Sequence, residues 1–65
     1  MNAIAKIEDP VLPPKVVAAT IGLHRATIHE MVREGRFPAP IQLTDTRIGW
    51  RRSTIDAWLA SRVRA

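Results

Sequence analysis

Residues 14–38 read PKVVAATIGLHRATIHEMVREGRFP, and the fold turns on this stretch. Pro14 suits the first position of a helix, where a missing N–H costs nothing. Lys15 to Thr20 continue that helix, with Val17 and Ala18 turned inward. Gly22 gives the backbone freedom for a sharp turn, and Leu23 is an apolar plug for the corner. A second helix is expected from about Arg25 to Glu34, because Ile28, Met31 and Val32 recur at i, i+3 and i+4. Gly35 is placed to end it as a left-handed cap. A short helix, a glycine-containing turn and a second helix make the helix-turn-helix pattern.

Downstream, Phe37, Pro38 and Pro40 stop the helix. Ile41-Gln42-Leu43 and Arg47-Ile48-Gly49-Trp50 alternate apolar with polar or small residues, the period of a half-buried strand. Thr44-Asp45-Thr46 lies between them as a tight turn, with Asp45 suited to turn chemistry. A lone two-stranded hairpin is marginal in water, so Ile41, Leu43, Ile48 and Trp50 must lean on the helices. The last helix is expected to open at Ser53 as cap, with Asp56 answering as the capping-box acid. Ile55, Trp58 and Leu59 form its apolar stripe. Arg62 and Arg64 fall in its final turn, at the negative end of the helix dipole. Residues 1–11 have no clean period and run into Pro10, Pro13 and Pro14, which reads as a flexible N-terminal arm. The expected fold class is mainly α with a small β hairpin, a winged helix-turn-helix of order α-α-β-β-α over residues 12–65.

Composition narrows the function. A chain of 65 residues is one domain that buries only about 60% of its unfolded surface. It has one thin core and no room for a substrate cavity. With no cysteine, disulfide staples and Cys-based zinc sites are excluded. Stability therefore rests on packing, and Trp50 and Trp58 are read as core. No apolar run approaches the roughly 20 residues of a membrane span, and no signal peptide is evident. The expectation is a cytoplasmic, nucleoid-associated bacterial protein with no membrane contact. Ten Lys and Arg oppose six Asp and Glu for a formal charge of +4, and eight of the ten are Arg. Residues 1–14 hold one Lys against Glu8 and Asp9, so the excess lies in the rest. A basic domain of this size usually meets a polyanion, and Arg pairs bidentately with phosphate and guanine edges. Catalysis has little support: Ser53 has no adjacent base, Glu30, Glu34, Asp45 and Asp56 show no pairing pattern, and no glycine-rich phosphate loop is present. The chain is read as a non-enzyme without cofactor. His24 and His29 lack partners for a metal site.

Several stretches together resemble a known family. They are Val17-Ala18-Ala19, Gly22-Leu23, Arg25 with Thr27-Ile28, Arg33-Glu34-Gly35-Arg36-Phe37-Pro38, Pro40, Gly49-Trp50-Arg51 and Asp56-Ala57-Trp58-Leu59. Over roughly residues 12–62 the chain resembles the AlpA-type phage regulators, small winged helix-turn-helix proteins related to excisionase and MerR-type DNA-binding domains. The resemblance implies sequence-specific binding of double-stranded DNA by a phage or prophage-type transcriptional regulator. It also leaves open an excisionase-like directionality factor that bends DNA for an integrase. A small protein–protein interaction module is the reading from a different class. His24, Ala26, His29 and Glu30 depart from the family's usual residues at outward positions, which implies a different operator. The wing turn also lacks the usual glycines.

With about 100° between successive helix residues, Ala26, Glu30 and Arg33 face away from the apolar stripe, flanked by Thr27 and His29. A second helix of this type enters the major groove with its N-terminal residues nearest the base edges. Arg25 and Arg33 are candidates for guanine or phosphate, and Arg33 has Glu30 and Glu34 within local reach. Thr27 suits a phosphate or a thymine methyl, and Ala26 allows close approach. His29 can donate to an acceptor, and Glu30 can accept from cytosine N4. Arg36 suits the backbone. Arg47 near the wing tip is assigned to the minor groove, and Arg51 and Arg52 to phosphate at a helix start. The expected partners are DNA and, with it, an integrase or RNA polymerase. No heptad supports a stable dimer, so a monomer in solution is expected, cooperative on DNA.

Overall fold

The computed structural model describes residues 8–62. Its elements are β1 (Val11–Leu12), α1 (Pro14–Ile21), α2 (Arg25–Arg33), β2 (Ile41–Gln42), β3 (Ile48–Arg51) and α3 (Arg52–Ala60). Three helices pack with a small antiparallel sheet of strand order β1-β3-β2. Val11 pairs with Arg51 and Leu12 with Trp50, while Ile41 pairs with Gly49 and Gln42 with Ile48. This is a small winged-helix-like domain.

The two glycine turns form for the reasons read from the sequence. Gly22 takes φ 75°, donates to the Ala18 carbonyl at 2.9 Å, and is followed by Leu23 donating to the same oxygen at 3.2 Å. Gly35 also takes φ 75°, and its N–H reaches the Val32 carbonyl at 3.1 Å while that of Arg36 reaches Met31 at 2.8 Å. That pair of bonds is a Schellman motif, which satisfies the last carbonyls of α2.

The core comprises Val17, Ile28, Met31, Phe37, Trp50 and Ile55, with Leu12, Ala18, Ile21, Leu23, Val32, Ile48 and Trp58 packed against it. Phe37, read only as a helix breaker, lies edge-on to both tryptophans. Its ring centroid is 5.7 Å from that of Trp50 and 4.7 Å from that of Trp58. Both indole N–H groups end on backbone carbonyls: Trp50 Nε1 on Pro38 at 2.8 Å and Trp58 Nε1 on Arg36 at 3.3 Å. The link between α2 and the hairpin is thus stapled to the core by polar and aromatic contacts together. Trp58 itself is only half-buried, under the Arg62 guanidinium at 4.8 Å.

Several expectations need correction. The order α-α-β-β-α gains a strand at its front, so the wing has three strands. The residues expected to be a free arm as far as Val11 are held over 9–11: Val11 begins β1, and the Pro10 carbonyl accepts from Arg52 N–H at 2.9 Å. The rest of the arm, residues 1–7, lies outside the described residues. Leu43 and Leu59, expected to pack inward, are 49% and 42% exposed. Thr44, not Asp45, carries the turn chemistry, since its Oγ1 accepts from the N–H groups of Thr46 at 3.3 Å and Arg47 at 3.0 Å. Arg62 lies just past the end of α3, and Arg64 is outside the described residues.

The start of α3 is the clearest departure. Ser53 sits one residue inside the helix rather than capping it, and Asp56 faces Arg52 at 4.0 Å instead of closing a capping box. The cap comes from Asp9. Its Oδ1 accepts from Ser53 N–H at 2.8 Å, and its Oδ2 accepts from Ser53 Oγ–H at 2.9 Å. A carboxylate from 44 residues away thereby satisfies a free donor of the first turn and sits at the positive end of the helix dipole. The Ser53 backbone bond first, then its hydroxyl and then the Arg51 charge hold the Asp9 carboxyl below its ordinary value of 3.8. A lowered folded-state pKa stabilises the fold above the ordinary carboxylate range, and that contribution is lost as pH falls through the folded value. Asp9→Asn is expected to melt below wild type at neutral pH. The gap should close as the solution is acidified below about pH 4, and thermal melts across that range check it. A gap that is constant with pH would mean that the charge contributes nothing.

Candidate nucleic-acid interface

The apolar stripe of α2 is inside and its opposite face is bare. Ala26, Thr27, His29, Glu30 and Arg33 are all exposed, and so is Arg25 at the first turn. Beside this face the hairpin rises, leaving an open cleft of about 450 Å³. Arg25, Ala26 and His29 line it from α2, and Thr46 lines it from the hairpin turn. Ile28, Val32, Pro40, Ile48 and Trp50 complete it with Pro14. Thr46 was missed by sequence reasoning. Its only signal was its place beside Arg47 in the wing turn.

The remaining candidates lie outside the cleft. Arg33 Nη2 pairs with Glu30 Oε1 at 2.6 Å, and Arg36 Nη2 with Glu34 Oε1 at 2.6 Å. These are surface pairs, each contributing about 0–1 kcal/mol, so either arginine can exchange its carboxylate for a stronger anion. Among the described residues, Arg25, Arg47 and Arg51 are in no ion pair. Side chains alternate along a strand, and Ile48 and Trp50 line the cleft. Arg47 and Arg51 therefore belong to the other face of the hairpin, with Gly49 between them. Arg52 is exposed in the first turn of α3, loosely opposite Asp56. The helix face is thus brought together with the wing turn, whereas the wing arginines point to a second side.

Among the described residues, no group of three or more His, Asp or Glu side chains is placed to hold a metal ion. No helix among them is long and apolar enough to cross a membrane.

Comparison with known proteins adds to this geometry. A family model described as the prophage CP4-57 regulatory protein (AlpA) matches residues 11–63. An uncharacterised protein, ORF88 of Enterobacteria phage P4, is 40% identical over 42 residues, which covers 65% of this chain. The chain spans about half of that relative, 48% of its length. No solved structure matches the chain. The match runs from β1 through α3 and takes in the exposed face of α2, the cleft and the wing. The chain belongs to the AlpA family of prophage regulatory proteins.

Proposed function

We propose that the protein binds double-stranded DNA in a sequence-specific way and acts as a phage-type transcriptional regulator. The observation that supports this best is the pairing of a bare, small and polar α2 face with an adjoining hairpin across a cleft edged by Arg25, which is in no ion pair among the described residues. In this reading α2 enters the major groove and the wing reaches the minor groove. Arg25 and Arg33 meet guanine or phosphate, and Ala26 and Thr27 allow close approach at the helix start. His29 donates, and Glu30 accepts from cytosine once Arg33 turns to the DNA. Arg36, Arg51 and Arg52 meet phosphates, and Arg47 takes the minor groove. The protein works by binding, not catalysis, in the cytoplasm where the DNA is.

Selection from a pool of random duplexes, with the enriched site re-measured across salt, tests the proposal. The expected result is an enriched motif and a slope of log affinity on log salt of about −3 to −5, as for a few phosphates. Arg25→Ala should weaken binding about tenfold or more and make the slope shallower by about 1 if its contact is phosphate. If no sequence is enriched and affinity stays weak in low salt, the DNA reading fails. Enriched copies in tandem direct repeat would move the role toward a recombination directionality factor.

A further inference from the structure

The cleft between α2 and the hairpin has two chemically distinct levels. Apart from the small Ala26, its exposed residues are polar: Arg25 and His29 from α2 and Thr46 from the turn. Its half-buried residues are apolar: Pro14, Val32, Pro40 and Ile48. Rim and floor thus ask for different things. A bare phosphate would satisfy the rim and leave the apolar floor in water. A purely apolar ligand would cover the floor and leave the three donor side chains of the rim without an acceptor. A deoxyribose–phosphate unit of a DNA strand meets both, with its phosphate at the rim and its carbon-rich sugar below.

We infer that this cleft seats one deoxyribose–phosphate unit of the bound duplex and selects deoxyribose over ribose there. The inference rests on the DNA reading above and goes further, since it assigns sugar recognition to three residues with no base contact. The selectivity follows from the floor. No side chain of Val32, Pro40 or Ile48 can donate or accept a hydrogen bond. A ribose seated there would bury its 2′-hydroxyl without a partner, and an unpaired buried hydroxyl lowers affinity roughly tenfold or more. The 2′-hydroxyl is the group by which proteins separate RNA from DNA at a given site. The rim acts separately: Arg25 and Thr46 hold the phosphate from the two walls, and His29 donates beside them.

The test is a double scan of the selected duplex, with one ribonucleotide, or one uncharged methylphosphonate, introduced at a time along each strand. The expected result is one short stretch where both scans give a loss of about tenfold. In Arg25→Ala the methylphosphonate loss at that stretch should shrink, with Thr46 and His29 still in place, while the ribose loss persists in full, because rim and floor act independently. Arg25 is exposed and makes no ion pair among the described residues, so its removal leaves the fold in place. A flat ribose scan on a duplex that binds well overturns this inference alone. So do losses at unrelated parts of the site, or a methylphosphonate loss that is undiminished in Arg25→Ala. Failure of every duplex to bind overturns the DNA reading as well.

Discussion

Trp50→Ala is expected to leave the chain unfolded at room temperature, with no cooperative melt by circular dichroism. The indole is 3% exposed and sits where β3, the Pro38 turn and Phe37 meet. Truncating a buried aromatic to Ala costs about 3–5 kcal/mol. A core in a domain of this size rarely supplies more than about 3–5 kcal/mol in total. Two further losses add to the cavity. The Pro38 carbonyl loses the indole donor at 2.8 Å, and Phe37 loses one of its two edge-on partners. Trp50→Phe keeps much of the volume but not the donor, and should fold with a lowered melting temperature. Trp58→Ala, at a half-buried ring, should remain folded and melt lower. A cooperative Trp50→Ala melt near the wild-type temperature would show that the aromatic staple does not hold the domain together.

That ranking of the two tryptophans marks the limit of what the residues alone could tell. Each falls on the apolar period of its element, Trp50 two residues from Ile48 and Trp58 three from Ile55, and both read as core. What separates them is Phe37, which the sequence presents only as a residue between a helix and two prolines. The signals that did translate were local. Pro14, Gly22 and Gly35 each act within one turn of backbone, and the i, i+3, i+4 spacing of Ile28, Met31 and Val32 sets which face of α2 is bare. The signals that failed were those decided at long range. Ser53 followed by Asp56 has the spacing of a self-contained cap, yet Asp9 is brought alongside by β1 and takes the donors instead. β1 itself is two residues between prolines, too short for any period, and it forms because β3 offers a free edge. In the candidate interface, the exposure of Ala26, Thr27, His29, Glu30 and Arg33 followed from helical period. The company of Thr46, and the turning of Arg47 and Arg51 to the far side, depend on how the hairpin sits on α2. No spacing encodes that.

Gly49→Ala is the second change expected to have a large effect, and its reason is space rather than backbone freedom. A Cβ at Gly49 would lie 2.6 Å from Val11 Cγ1 and 2.9 Å from the Leu12 carbonyl oxygen. The valine methyl can move, but the carbonyl belongs to the backbone of β1, so the strand must shift. Overpacking of this kind costs about 1–3 kcal/mol, and each kcal/mol moves the melting temperature of a domain this size by roughly 4–8 °C. Adding Val11→Ala removes the first collision and leaves the second, so the double variant should recover only part of the loss. Full recovery would mean that β1 is not held at its carbonyl, and a wild-type melt for Gly49→Ala would mean that β1 does not pack on β3 at all. The shift also reaches α3. Asp9 and Pro10 lead directly into β1, so a displaced strand draws the carboxylate away from Ser53 and the Pro10 carbonyl away from Arg52. In the Gly49→Ala background the acid-sensitive loss caused by Asp9→Asn should therefore shrink or vanish. One buried glycine then governs both the sheet edge and the cap of the last helix, and a pH series on the two substitutions, singly and combined, reads that coupling directly.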